Sequence, residues 1–247
     1  MSEEVTPVPV DATVSAAAAA GNGAAGSLGT GTATSARIDT SAIDPDRYES
    51  HGGFPKIAPA RPGPEFGPFV EAMRTLQDLA VSADAPDEVY GAARAKAREL
   101  IDLLEPYRAP EGHSPAGRSV ELPGRGSLLM LPWTVLEAGP EGITSTGVFR
   151  RYHLGGNGAA HGGVLPLLFD DLFGMVVHYA GRPISRTAYL HVNYRKVTPL
   201  ETRLTVTGRA DRIEGRKTFV TAELRDEQGE VLADAEGLMI QLLPWQP

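Results

Sequence analysis

His161-Gly162-Gly163-Val164-Leu165-Pro166-Leu167-Leu168-Phe169-Asp170-Asp171-Leu172-Phe173-Gly174-Met175-Val176-Val177-His178-Tyr179 is apolar on nearly every side when wound as a helix. Pro166 is tolerated in a first turn, so the helix starts near Gly163 or Val164. Gly181-Arg182-Pro183 has the chemistry of a helix end. The sequence thus predicts a helix over 164–179. A helix with no broad polar face needs neighbours on most sides.

The flanks supply them. Downstream, 187–197, 202–213, 217–226 and 231–242 read as strands. Leu204, Val206 and Gly208 alternate with Arg203, Thr205 and Thr207, and Thr218, Val220, Ala222 and Leu224 share one face. That is the half-buried antiparallel pattern. Upstream, 128–136 and 143–154 read as two more strands joined through 138–142, and a glycine-rich loop, 155–163, enters the helix. An antiparallel sheet curled around one apolar helix satisfies this order. The fold class is α+β, the hotdog arrangement, with an N-terminal helical extension.

Three parts are expected along the chain. Residues 1–50 are rich in Ala, Gly, Ser and Thr and bury too little to offset ordering entropy, which predicts a disordered tail. Residues 51–117 form a Pro-rich arm and two helices. The first, 69–81, carries Phe69, Val70, Met73, Leu76 and Leu79 on one face. The second, 87–105, carries Val89, Ala93, Ala97, Leu100, Ile101 and Leu104, with Asp87 as N-cap and Pro106 as its stop. Both faces must be buried somewhere. Residues 118–247 make the hotdog domain.

The formal charge is −8 and the pI about 5.3, which disfavours a nucleic-acid partner. No cysteine occurs, so disulfides, thiolate metal sites and a Cys nucleophile are all excluded, in keeping with a reducing cytoplasm. No apolar run spans a bilayer, and the acidic N-terminus does not resemble a secretory signal. His153, His161, His178 and His191 match no common zinc spacing. No metal and no cofactor are expected.

Two adjacent carboxylates, Asp170 and Asp171, interrupt the apolar helix. They lie about 100° apart, which points them to different surroundings and different roles. Either both face solvent, as most Asp do, or one is held for chemistry, since a buried unpaired charge is costly. The loop 155–163 leaves backbone N–H groups free at a helix N-terminus, which suits a developing oxyanion. The sequence has no Gly-x-Ser-x-Gly elbow.

His161-Gly162-Gly163-x6-Asp170-x3-Gly174 resembles the signature of the PaaI-type hotdog acyl-CoA thioesterases. Thr187-Ala188-Tyr189-Leu190-His191-Val192-Asn193-Tyr194-Arg195 is similar to that family's next strand, and Arg212–Lys217 to its next hairpin. The likeness spans roughly 143–242. It implies hydrolysis of acyl-CoA to free acid and CoA in lipid metabolism, with Asp170 as general base or nucleophile. It implies that Gly163 offers its N–H to the thioester carbonyl with Gly162 close behind, and that His161 shapes the loop. Thr187 would reach the site from the partner subunit, and Asn193 would support it. Asp171 departs from the family's small residue, and would either raise the Asp170 pKa or face solvent. Such proteins pair sheets edge to edge, so a homodimer or dimer of dimers is expected.

Between Arg186 and Lys217 stand eight basic residues against three acidic ones. Arg195, Lys196 and Arg216 are therefore candidates to contact the CoA phosphates. Two other readings compete: a hydratase pairing Asp170 with His178, and a non-catalytic acyl-CoA-binding module.

Overall fold

A computed structural model describes residues 59–243 and Trp245. The expected tail and the first part of the arm, up to residue 58, lie outside the described residues. Two helices come first, Phe66–Ser82 (α1) and Asp87–Leu104 (α2). Eight strands and a third helix follow: β1 (Thr134–Gly139), β2 (Gly142–Gly147), β3 (Leu154–Gly156), β4 (Ala159–Ala160), α3 (Val164–Tyr179), β5 (Ser185–Tyr194), β6 (Leu204–Glu214), β7 (Lys217–Arg225) and β8 (Val231–Gln241).

Six strands make one antiparallel sheet in the order β1-β2-β6-β7-β8-β5, and β3 and β4 form a separate small ribbon. α3 touches every strand of the large sheet, as an apolar helix must. It buries Leu165, Leu168, Phe169, Leu172, Phe173, Val176 and Val177. Each contributes about 1.5–3 kcal/mol by leaving water. Two glycines let the sheet come this close. A Cβ on Gly237 would sit 2.6 Å from the Phe173 ring, and one on Gly208 would sit 2.9 Å from Leu172.

The helix boundaries and the last four strands fall within a few residues of expectation. The earlier strands do not. Pairing begins at Thr134 rather than Leu128, because Pro132 has no N–H to give the ladder. The expected strand 143–154 stops at Gly147, where a Cβ would meet the Trp133 ring at 2.5 Å. Buried Phe149 follows, then a 3-10 turn at Arg151–His153.

The N-terminal helices differ more. Pro86, not Asp87, occupies the N-cap of α2. α1 buries only Val70 and Arg74, and α2 buries nothing. Leu79 is 57 % exposed and Tyr107, just past α2, 80 %. Their apolar faces are therefore uncovered within the described chain. Arg74 ties α1 to the loop before β1: its Nη2 donates to the carbonyls of Pro123 (2.9 Å) and Ser127 (2.8 Å). Among the described residues no helix is long and apolar enough to cross a membrane.

Candidate active site

α3 turns one narrow stripe away from its buried side: Asp170, Gly174 and His178, spaced four residues apart. Asp170 is the one carboxylate on it. The Thr187 hydroxyl, on β5, donates to Asp170 Oδ1 at 2.7 Å within the same chain. This corrects the expectation that Thr187 serves Asp170 from a partner subunit.

A bulge makes that bond possible. Residues 189, 191 and 193 pair with Leu238, Glu236 and Asp234 of β8, on the sheet face away from α3. In a regular strand Thr187 would share that face. The register shifts between Thr187 and Tyr189, so Thr187 pairs with buried Met239 and points toward the helix. Ala188 is the extra residue. Nothing in the alternation of the sequence announces it.

The same register turns Asn193 to the other face. Its amide donates to Asp234 Oδ1 at 2.7 Å, on the opposite face from Asp170. His191 lies beside Glu236 on that outer face too, at 3.5 Å. The proposed phosphate rim is also engaged. Arg195 Nε donates to Asp234 Oδ2 at 2.5 Å, Lys196 pairs with Glu230, and Arg216 Nη1 donates to the Gln241 carbonyl at 3.1 Å. The hydrogen bond from Arg195 holds the Asp234 carboxyl below its ordinary range.

Asp171 is paired rather than left to solvent. Arg125 grips it with two nitrogens, Nη1 to Oδ2 at 3.0 Å and Nη2 to Oδ1 at 2.5 Å. Burial alone would lower the Arg125 pKa, but the bonds and charge of Asp171 outweigh it and raise it. Arg125 holds φ +53° in the loop before β1, so this pair ties that loop to α3. A φ-positive arginine 46 residues from its partner leaves no trace in the sequence pattern.

Before the start of α3, on the Asp170 side of the stripe, lies the glycine loop. His161 Nδ1 accepts the Gly163 N–H at 3.0 Å, and Tyr194 donates its hydroxyl to the Gly162 carbonyl at 2.8 Å. The Gly162 N–H has no acceptor among the described residues. His161, Gly162 and Gly163 are all exposed.

The geometry separates Asp170 from the N–H groups of the glycine loop. Seven residues at about 1.5 Å each place Gly163 roughly 10 Å from Asp170 along the axis. N–H groups at a helix start point away from the helix body, so an oxygen held there lies farther still. A nucleophile and an oxyanion donor must each come within about 3 Å of one reacting group. One chain alone does not bring them together. Nor does His178, roughly 12 Å along the helix from Asp170, reach the same bond. Among the described residues no three His, Asp or Glu side chains gather as metal ligands would.

Residues 157–233 match the family model described as thioesterase superfamily. The acyl-coenzyme A thioesterase THEM4 of Rattus norvegicus is 35 % identical over 91 residues, which cover 36 % of this chain and 39 % of that protein. The Mus musculus THEM4 is 32 % identical over 91 residues with the same shares. The chain thus spans about two fifths of the length of these relatives. A solved thioesterase superfamily protein superposes with a TM-score of 0.64 at 24 % identity, covering 73 % of this chain and 97 % of that one, and this likeness shows the hotdog fold.

Proposed function

Taking residues 157–233 as a domain of the thioesterase superfamily, we propose that the chain hydrolyses acyl-CoA thioesters to free acid and CoA. The observation that carries this is the Thr187–Asp170 pair: a carboxylate on an exposed stripe of the core helix, held by a hydroxyl from the edge strand. The THEM4 relatives, named as acyl-coenzyme A thioesterases, favour the same substrate class.

In this reading Asp170 either takes a proton from water or attacks the thioester carbonyl itself. Thr187 fixes one carboxylate oxygen and leaves Oδ2 for that step. The tetrahedral oxyanion accepts the Gly162 N–H, and the Gly163 N–H joins once the His161 ring turns aside. The C–S bond then breaks and CoA leaves as thiolate. Where Asp170 attacks, water hydrolyses the resulting mixed anhydride.

Because one chain separates these groups, the site needs two copies. β5 ends the sheet with one edge unpaired among the described residues, and Thr187 sits on it. Two such edges joined antiparallel would bring the glycine loop of one copy toward Asp170 of the other. We therefore propose a homodimer or dimer of dimers with shared sites. Arg195, Lys196 and Arg216 contribute to CoA binding only by exchanging their present partners for its phosphates.

In the same reading the chain has three parts, a tail over 1–50, an arm and helical extension over 51–117 and the catalytic domain over 118–247. It places the chain in the PaaI-type group, in cytoplasmic lipid metabolism. The test is free-thiol release from acetyl-, hexanoyl-, palmitoyl- and phenylacetyl-CoA. Release from at least one, abolished in Asp170→Asn, supports the reading. No release from any of them overturns it.

A further inference from the structure

Catalysis from the glycine loop poses a problem of rigidity. Five of the nine residues from Gly155 to Gly163 are glycines, the residue with most backbone freedom to lose. A backbone donor must sit within about 0.5 Å of its working position. Something outside the loop has to hold it.

We propose that α1 is that support: Asp78 and Arg150 act as positioning residues for the loop that carries the oxyanion donors. This rests on the thioesterase reading.

Glu71, Thr75 and Asp78 lie on one face of α1, and Arg150 reaches all three. Its Nε donates to Asp78 Oδ2 at 2.7 Å, its Nη1 to Glu71 Oε1 at 2.6 Å and its Nη2 to Thr75 Oγ1 at 3.3 Å. The other oxygen of Asp78 accepts the Tyr152 N–H at 3.1 Å. One carboxylate therefore grips the turn on both sides. Inside the turn, the Arg150 N–H donates to His153 Nδ1 at 2.9 Å and the His153 N–H to the Arg150 carbonyl at 3.0 Å.

The turn is joined directly to the loop. The His153 carbonyl accepts the His161 N–H at 2.7 Å, and His161 Nδ1 accepts the Gly163 N–H. Gly155 is pressed so close that a Cβ there would lie 2.7 Å from His161 Cα. A run of hydrogen bonds thus leads from α1 to the backbone of His161, the residue directly before both donors. Exposed ion pairs contribute little to stability. This one is different in kind, since the Arg150 side chain is only 17 % exposed, Asp78 21 %, and three bonds fix one guanidinium. α1 and the turn both precede residue 157, so the brace lies outside the stretch matched to the family model.

The test uses the full chain. Asp78→Asn keeps the shape and removes the charge. We expect kcat to fall between about 10- and 100-fold, with KM within about twofold. Amide exchange should quicken over 154–163 and stay unchanged in β7 and β8. A purely structural anchor would instead lower stability and leave the kcat of folded enzyme alone. Glu71→Gln, which loses only the outermost contact, should stay within about threefold of wild type. If Asp78→Asn does not fold, Arg150→Lys is read the same way. An active wild type whose variant keeps its kcat, or keeps the slow exchange of 154–163, overturns the brace alone. A wild type inactive toward every acyl-CoA overturns the thioesterase reading and the brace with it.

Discussion

Thr187 and Asp170 are bonded at 2.7 Å within one chain, and only the bulge at Ala188 aims the threonine at the helix. Asp170→Asn should cost kcat on the order of 10²- to 10⁴-fold, since the amide can neither take a proton nor attack. Thr187→Ala should cost less, roughly tenfold, and Thr187→Ser should restore most of the loss because the hydroxyl is what matters. Steady-state thiol release measures all three. Equal activity of Thr187→Ala and wild type would remove Thr187 from the site.

The in-chain bond also changes the outcome of subunit mixing. Asp170→Asn and Thr187→Ala damage the same half-site, so mixed dimers should gain nothing. Gly163→Pro damages the other half. The native φ of −70° suits proline, and the substitution deletes the N–H. Mixed with Asp170→Asn, half of the dimers are mixed and each has one intact site, so activity should recover to about a quarter of wild type. Recovery in the first mixture but not the second would reverse the assignment of groups to subunits.

Asp171 and Asp170 should behave differently despite adjacency. Asp171→Asn breaks the two-pronged bond to a mostly buried Arg125. Urea denaturation should show a loss of about 1–3 kcal/mol. The kcat of the folded enzyme should remain within about threefold of wild type. A larger kcat loss at unchanged stability would give Asp171 a part in the reaction.

Burial lowers the His153 pKa from 6.5 to about 4. Between those values the unfolded chain binds a proton that the folded one refuses. Stability from this group is therefore complete above pH 6.5 and drains away as pH falls toward 4, by up to about 3 kcal/mol. Urea midpoints at pH 7, 6, 5 and 4.5 should fall more steeply for wild type than for His153→Gln. Parallel profiles would show that His153 is not the titrating group.

The core was legible because period and composition agree there. α3 is apolar all round and lies where the sequence puts it, and β6 to β8 alternate cleanly. Asp170 stood out as a carboxylate on that helix. The losses have a common cause, which is that long-range geometry leaves no local mark. The bulge at Ala188 adds one residue to a regular alternation and reverses which residues face Asp170, so Thr187 turns toward the helix while Asn193 turns toward Asp234. The basic excess around Arg195 was real, but its carboxylate partners lie on β8 and in the turn before it, some 34 to 39 residues away. Arg74 and Arg125 hold backbone or carboxylate partners about 50 residues distant, and no local pattern marks either of them.

α2 hides no side chain within the described chain. An isolated helix of 18 residues sits close to the coil boundary in water. Its melting costs the sheet nothing, so it opens as a unit of its own long before the rest. A dilute protease should cut between residues 87 and 104 first and leave a resistant fragment carrying α3 and the six strands. The rate of that first cut is then a gauge. Any molecule that slows it while leaving global unfolding unchanged is touching this helix.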